Sequence, residues 1–217
     1  MLEDNKSYLK DLNEAQLNAV LKTEGPSMVI AGAGSGKTRV LTYKIVHLVE
    51  NGVDPFEILA LTFTNKAARE MKLRISSMIG ESESKNIWMG TFHSVFAKIL
   101  RFEAHKIGFT SDFTIYDTQD SERLISSIIK EKALDKDVYR AKSIRNRIST
   151  LKNNFITVNG YFANIELVES DNLSRKPETG NIYKEYSERL IKSNSMDFDD
   201  LLTVSYTHLT LPTICSV

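Results

Sequence analysis

Two rhythms of hydrophobic residues alternate along this chain. Short continuous apolar runs are followed by segments in which apolar residues recur every three or four positions, the marks of buried strands and amphipathic helices. Residues 13–22 predict a short helix, with Asn13 as N-cap and Leu17, Val20 and Leu21 on one face. Gly25-Pro26 turns the chain into a strand at 27–31. Leu41, Ile45, Leu48 and Val49 then repeat at helical spacing until Asn51-Gly52 stops them. Asp54-Pro55 reads as loop, and Ile58–Phe63 as a strand buried on both faces. A helix over 65–79 turns Ala68, Met71, Ile75 and Met78 inward and ends before Gly80. Asn86–Thr91 is a third short strand. Phe92, Val95, Phe96, Ile99 and Leu100 mark a third helix of this series, closed by Gly108. Such alternation predicts an α/β domain over 1–112, with a parallel sheet and helices on both of its faces.

Beyond residue 112 the strand signals stop. A cap at Asp117 or Thr118 opens a helix with Leu124, Ile125, Ile128 and Ile129 inside. Another spans 141–152 on Ile144, Ile148 and Leu151, and a third spans 180–193 on Ile182, Tyr186 and Leu190. The intervening stretch ESDNLSRKPETGN, 169–181, is polar and reads as a mobile loop. Residues 113–195 are therefore expected to form an all-helical unit, with 196–203 returning toward the first domain. The last segment, VSYTHLTLPTICSV, fits neither a helix nor a core pattern. Residues 204–217 are expected to be a tail foreign to the fold, read through from an adapter or vector. No internal repeat is visible.

Between the strand at 27–31 and its following helix lies the most specific motif, Ala31-Gly-Ala-Gly-Ser-Gly-Lys-Thr38. Glycines let the backbone wrap an anion with its N–H groups inward, and a helix starting there adds its positive end. The loop Ala31, Gly32, Ala33, Gly34, Ser35, Gly36, Lys37 and Thr38 is thus a phosphate-binding loop. Lys37 would reach the β- and γ-phosphates of ATP, and the Thr38 hydroxyl would ligate Mg²⁺. The strict pattern begins with Gly, whereas this chain has Ala31.

Bulk composition adds little. The chain has 217 residues, 41% of them apolar and 26% charged, ordinary for a globular protein. Its 28 basic and 28 acidic residues cancel, so nucleic acid could be held only by a local patch. The single cysteine, Cys215, excludes a disulfide framework and suits a reducing compartment. The polar N-terminus lacks a signal-peptide core, and no apolar run approaches bilayer length. A cytoplasmic protein without membrane contact is expected.

Three further segments narrow the reading. Leu12-Asn-Glu-Ala-Gln16 precedes the loop, Leu61-Thr-Phe-Thr-Asn-Lys-Ala-Ala-Arg-Glu-Met71 follows the second strand, and Gly90-Thr-Phe-His-Ser94 follows the third. In order and spacing, these and the loop resemble the Q motif and motifs Ia, Ib and I of the UvrD/PcrA/Rep-like superfamily 1 DNA helicases. Met196-Asp-Phe-Asp-Asp-Leu-Leu202 resembles the point where that family's chain returns from its helical insertion. The resemblance covers residues 1–203. It implies a RecA-like domain with a helical insertion, taken from an ATP-dependent 3′-to-5′ helicase that moves on single-stranded DNA and acts at duplex junctions.

The resemblance also implies roles. Gln16 would read the adenine edge, for which its amide has a donor and an acceptor, though the same residue could be a solvated side chain. Arg39 would lie near base or sugar, or else on a helix surface. Phe63, Thr64 and Asn65, with Thr91, Phe92 and His93, would form part of the single-strand track at strand ends. Either phenylalanine could equally be core. His93 has no partner at metal-ligand spacing, so no zinc is expected. Residues 138–165 contain no Asp or Glu but include Arg140, Lys142, Arg145, Arg147 and Lys152. With Ile144, Ile148 and Leu151 inward, these cations would stand outside, either merely solvated or, for Arg145 and Arg147 especially, on DNA phosphates.

The family also needs an acidic motif after a buried strand, to bind Mg²⁺ and orient water, and arginine fingers from a second RecA-like domain. Neither is recognisable. Asp197, Asp199 and Asp200 do not follow an apolar strand and are rejected as a substitute. The expectation is an N-terminal part of a helicase, inactive alone. Two alternatives remain: a non-catalytic nucleotide and single-strand binding module, or another P-loop enzyme such as a nucleotide kinase or transporter ATPase.

Overall fold

The computed structural model describes residues 7–208. It is a mixed α/β structure, mostly helical, with two small parallel sheets. The chain divides into two compact units between Val95 and Phe96.

In the first unit, α1 (Glu14–Leu21) is opened by a reciprocal cap: the Asn13 side chain accepts from Gln16 N–H, and the Gln16 side chain accepts from Asn13 N–H. Helix α2 (Lys37–Glu50) follows the Gly-rich loop. Strand β1 (Leu59–Thr62), α3 (Asn65–Ile79), α4 (Glu81–Asn86), β2 (Trp88–Thr91) and the start of α5 (Phe92–Glu103) complete it. β1 and β2 pair in parallel, Leu59 opposite Trp88 through Thr62 opposite Thr91. Ile45 of α2, Ile58 and Ala60 at β1, Met71 and Ile75 of α3 and Ile87 beside β2 form one core. Burial in β1 is one-sided, because Leu59 and Leu61 remain half-buried.

The strand expected at 27–31 does not form. Those residues carry no ladder bonds, and Met28 and Ile30 are 83% and 89% exposed. Apolar letters state a demand for burial, but a strand also needs a neighbouring backbone to bond. Among the described residues none pairs here, so the single larger sheet is replaced by separate two-stranded ladders.

The second unit is not all helical. It contains β3 (Thr114–Tyr116), α6 (Thr118–Glu131), α7 (Ala141–Asn153), α8 (Val158–Ala163), α9 (Ile165–Leu173), α10 (Thr179–Lys192), β4 (Ser195–Asp197) and α11 (Phe198–His208). β3 pairs in parallel with β4, Ile115 opposite Met196. The core joins Ile125, Ile128 and Ile129 of α6 to Ile144, Ile148 and Leu151 of α7 and to Ile182, Tyr186 and Leu190 of α10, as the periodicity predicts.

The loop expected at 169–181 is instead a helix end, a tight turn and a helix start. Asp171 is buried, accepts from the Tyr161 hydroxyl at 2.8 Å and pairs with Arg147 at 3.1 Å. The turn closes with Lys176 N–H donating to the Asp171 carbonyl, and Arg175 takes φ +57°. Polar composition here hides a buried polar anchor. Residues 204–208, expected to belong to a foreign tail, are helical. α11 runs to His208, and Ser205 is buried, donating to the Leu201 carbonyl at 2.6 Å. Residues 209–217 lie outside the described residues.

Lys152 departs furthest from its expected place in solvent. It is 6% exposed, and its Nζ lies 2.7 Å from both Asp197 Oδ2 and Asp200 Oδ1. Tyr186 adds a hydroxyl bond to Asp197 at 2.9 Å. Burial alone would discharge Lys152, but the Asp200 and Asp197 carboxylates outweigh it and hold the ammonium charged, its pKa raised. One cation serves two anions. Asp197, desolvated but directly bonded by Lys152, Tyr186 and the Asp200 N–H, is held below the ordinary range. Asp200 is pushed up to about 6, by burial first and then by Asp197, with Lys152 opposing.

Two outcomes follow. Lys152→Met leaves two buried carboxylates uncompensated and is expected to cost about 3–5 kcal/mol in urea unfolding. Adding Asp197→Asn and Asp200→Asn should restore part of it, and an unchanged midpoint for the single variant would contradict the buried pairing. Asp200 binds its proton more tightly folded than unfolded, so its contribution to stability is full below the unfolded value of about 3.9 and is lost as pH rises to about 6. The stability of Asp200→Asn relative to the parent protein should therefore increase across that window, and a pH-independent difference would refute the shift.

Candidate functional site

The Gly-rich loop takes the conformation its glycines permit. Gly34 and Gly36 have φ +76° and +86°, values that side-chain-bearing residues rarely adopt. Ser35 Oγ donates to the Gly32 carbonyl at 2.7 Å, closing the turn. Gly36 is the residue before α2, and no side chain caps that helix. Its first-turn N–H groups and positive end are therefore left for an anion, and no acidic residue stands in the turn. Lys37 opens α2 and donates from Nζ to the carbonyls of Ala31 and Gly32, both at 2.7 Å. Gly32, Ala33, Gly34, Ser35, Lys37, Thr38 and Arg39 are exposed. A cradle of positive-φ glycines, an uncapped helix start and a lysine over the loop fits a nucleotide's phosphates with Mg²⁺, Thr38 being the hydroxyl nearest the lysine in sequence.

Gln16 reaches this loop. Its Nε2 donates to the Ser35 carbonyl at 3.0 Å, while its Oε1 accepts from Asn13 N–H at 3.2 Å. One amide hydrogen and one lone pair remain. Arg39 donates to the Asp11 backbone carbonyl at 3.3 Å, and the Asp11 carboxylate accepts from the Tyr43 hydroxyl at 3.2 Å. Asp11 was not singled out from sequence, and Asn13 was read there only as the cap of the helix, which it is. The spacing of Asn13 and Gln16 is a capping box and contained that signal.

The parallel ladder brings the two other motifs together. Thr62 and Thr91 are partners, so both strands deliver their next residues to the same sheet end. Phe63, 89% exposed, lies 5.4 Å from Phe92, ring centre to ring centre, with the planes tilted by 39°. Of the two readings of Phe63, the core one is therefore wrong. Thr64 caps α3, its hydroxyl accepting from Ala67 N–H at 3.1 Å, and Asn65 begins that helix in solvent. Thr91 Oγ1 bonds Ser94 Oγ at 3.0 Å, and His93 is half-buried. A side chain at Gly90 would meet Ser94 Oγ at 2.6 Å and Val95 at 2.9 Å, so only glycine lets α5 start so close to β2.

Of the five cations expected to stand outside, Arg140 and Lys142 are exposed, but the other three are engaged. Arg145 pairs with Glu122 at 3.1 Å and Arg147 with Asp171 at 3.1 Å, while Lys152 is buried. The absence of acids within 138–165 misled, because the compensating carboxylates come from α6, α9 and the β4–α11 segment. Asp197 and Asp200 are bound to Lys152, and Asp199 accepts from Asn153 at 3.0 Å, which gives the acidic cluster a structural occupation.

The sequence model of the UvrD/REP helicase N-terminal domain family matches residues 12–214. The chain is 42% identical over 205 residues to the ATP-dependent DNA helicase PcrA of Bacillus subtilis (strain 168), covering 91% of this chain and 26% of that protein. It is 41% identical over 197 residues to the protein of the same name from Staphylococcus epidermidis (strain ATCC 12228), covering 90% and 26%. The protein of that name from Leuconostoc citreum is 41% identical over 195 residues, 89% of this chain and 25% of that one. The chain thus spans about a quarter of the length of these relatives.

Replacing Lys37 with Ala removes the cation that the loop itself holds. Binding of a fluorescent ADP analogue in Mg²⁺ should weaken by at least about tenfold, the scale of a charge-assisted contact. Equal affinity would remove the loop from the nucleotide site.

Proposed function

This chain belongs to the UvrD/REP helicase N-terminal domain family, and we propose that it is the nucleotide- and single-strand-binding part of an ATP-dependent 3′-to-5′ DNA helicase. Residues 31–38 hold the phosphates through loop N–H groups and Lys37, Gln16 meets the adenine edge, and Arg39 lies beside it. Thr38, with the nucleotide, would hold Mg²⁺, which would supply positive charge against the phosphate oxygens. Phe63 offers a face to a base, and Thr64, Asn65, Thr91, Phe92 and His93 line the strand ends for the backbone. The RecA-like sheet, the inserted character of the second unit and contact with duplex junctions are part of the same proposal.

The observation that supports this reading best is the register of β1 and β2. Parallel pairing of Thr62 with Thr91 carries both motif ends to one side of one sheet, and the core behind that sheet includes α2, which begins at the phosphate loop. Nucleotide and strand-end residues therefore share one packed unit. Coupling ATP turnover to movement on DNA needs such a mechanical link. Arg145 and Arg147 enter only through whatever charge Glu122 and Asp171 leave, so changing both is expected to affect stability more than DNA affinity.

The chain alone should not turn over. Hydrolysis needs a positioned water and compensation of the charge that develops, and the late carboxylates are occupied by Lys152 and Asn153. Arginine fingers are worth about 10³–10⁵ in rate in P-loop enzymes. DNA-stimulated ATPase from the purified chain would contradict this and would favour a complete enzyme over a binding module.

Single-stranded DNA binding is the direct test. Anisotropy should reveal sequence-independent binding whose log–log salt slope changes by about −0.7 per phosphate neutralised. Phe63→Ala should weaken it about tenfold, the scale of one lost base stack. A flat salt response, or no effect of Phe63→Ala, would remove the strand ends from the DNA site.

A further inference from the structure

We infer that Gln16 orients the phosphate loop itself, independently of any base, by fixing the Ser35–Gly36 peptide. This rests on the phosphate-binding reading of residues 31–38. The Gln16 amide is held at both ends. Its oxygen accepts from Asn13 N–H at 3.2 Å, which sets which way the amide faces, and its nitrogen donates to the Ser35 carbonyl at 3.0 Å.

A trans peptide points its N–H opposite its carbonyl. Anchoring the Ser35 carbonyl toward Gln16 therefore turns the Gly36 N–H to the other side, away from Gln16 and available to an anion. Gly36 lacks a side chain and sits at φ +86°, where backbone freedom is greatest. Approach is also close: a Cβ on Gly36 would stand 2.6 Å from Gln16 Nε2. The glycine is needed for the amide as well as for the turn.

Asn13 holds the amide through its backbone alone. Its side chain caps α1 by accepting from Gln16 N–H at 2.9 Å, while its backbone N–H holds the amide. Losing the cap side chain leaves the bond from Gln16 to Ser35 in place. This separates the two effects, because helix capping and peptide orientation depend on different atoms.

The test uses a ligand without a base. Binding of inorganic tripolyphosphate with Mg²⁺ to the full 217-residue chain is measured by calorimetry for the parent protein, Gln16→Met and Asn13→Ala. Methionine keeps length and neutrality but neither donates to Ser35 nor accepts from Asn13. Gln16→Met should weaken tripolyphosphate about fivefold, the scale of one net hydrogen bond, and Asn13→Ala should leave it within about twofold. Circular dichroism of both variants registers whether α1 and the fold survive, and Asn13→Asp, which restores the cap, is expected to match the parent melting temperature. Unchanged tripolyphosphate affinity in Gln16→Met, with ADP affinity lost, would overturn the inference and leave Gln16 a reader of adenine alone. An equal loss in Asn13→Ala would overturn it too, by assigning the effect to helix capping. Absence of tripolyphosphate and ADP binding in the parent protein would instead overturn the phosphate-loop reading and this inference with it.

Discussion

The parallel ladder between β1 and β2 is the constraint on which the first unit depends. Four residue pairs fix its register, and in a parallel pair both chains leave from the same end. A shift of one residue would exchange faces along either strand. It would take Ala60 from the core and break the approach of Gly90 to Ser94 and Val95. With register fixed, the polar and aromatic residues after each strand converge without needing any contact of their own. Thr64 and Thr91 then convert strand ends into helix starts by local hydroxyl bonds. α2, packed behind through Ile45, holds the other end of the phosphate loop.

The second unit is organised differently. Its three principal helices are joined by a conventional apolar core, but two polar anchors decide how its ends close. Asp171 gathers Tyr161 and Arg147, and Lys152 gathers Asp197 and Asp200. Buried ion pairs seldom add net stability over apolar packing, yet breaking one is expensive. Their effect is to specify partners: the end of α7 joins the β4–α11 segment and no other. The charge imbalance, two carboxylates to one ammonium, is expressed in the raised proton affinity of Asp200.

Sequence periodicity found α1–α3, α5–α7 and α10, whose stripes are visible within one segment, and missed α4, α8, α9 and α11. Ile144, Ile148 and Leu151 are inside where spacing puts them, and so are Ile182, Tyr186 and Leu190. The Gly-Lys-Thr loop was legible because φ above zero and a helix start are local demands. What depended on a distant partner was not legible. The run at 27–31 needed a neighbouring backbone, Arg145 and Arg147 met carboxylates from other helices, and Lys152 reached 45 residues ahead to Asp197. The stretch 169–181 was misread for the same reason: Asp171 looks like a loop residue until Tyr161 and Arg147 surround it. Gln16 was singled out for a base, while its bond to Ser35 belongs to a contact across 19 positions.

The central claim is that Gln16 and residues 31–39 form one nucleotide site on the unit that carries the β1–β2 strand ends. Amide hydrogen exchange of the whole chain, with and without Mg-ADP, tests it most directly. Protection is predicted to rise in the loop and first turn of α2, over 31–40, and in α1 around Gln16, with the core of α6, α7 and α10 unchanged. No change over 31–40, or protection gained only in the second unit, would contradict the account.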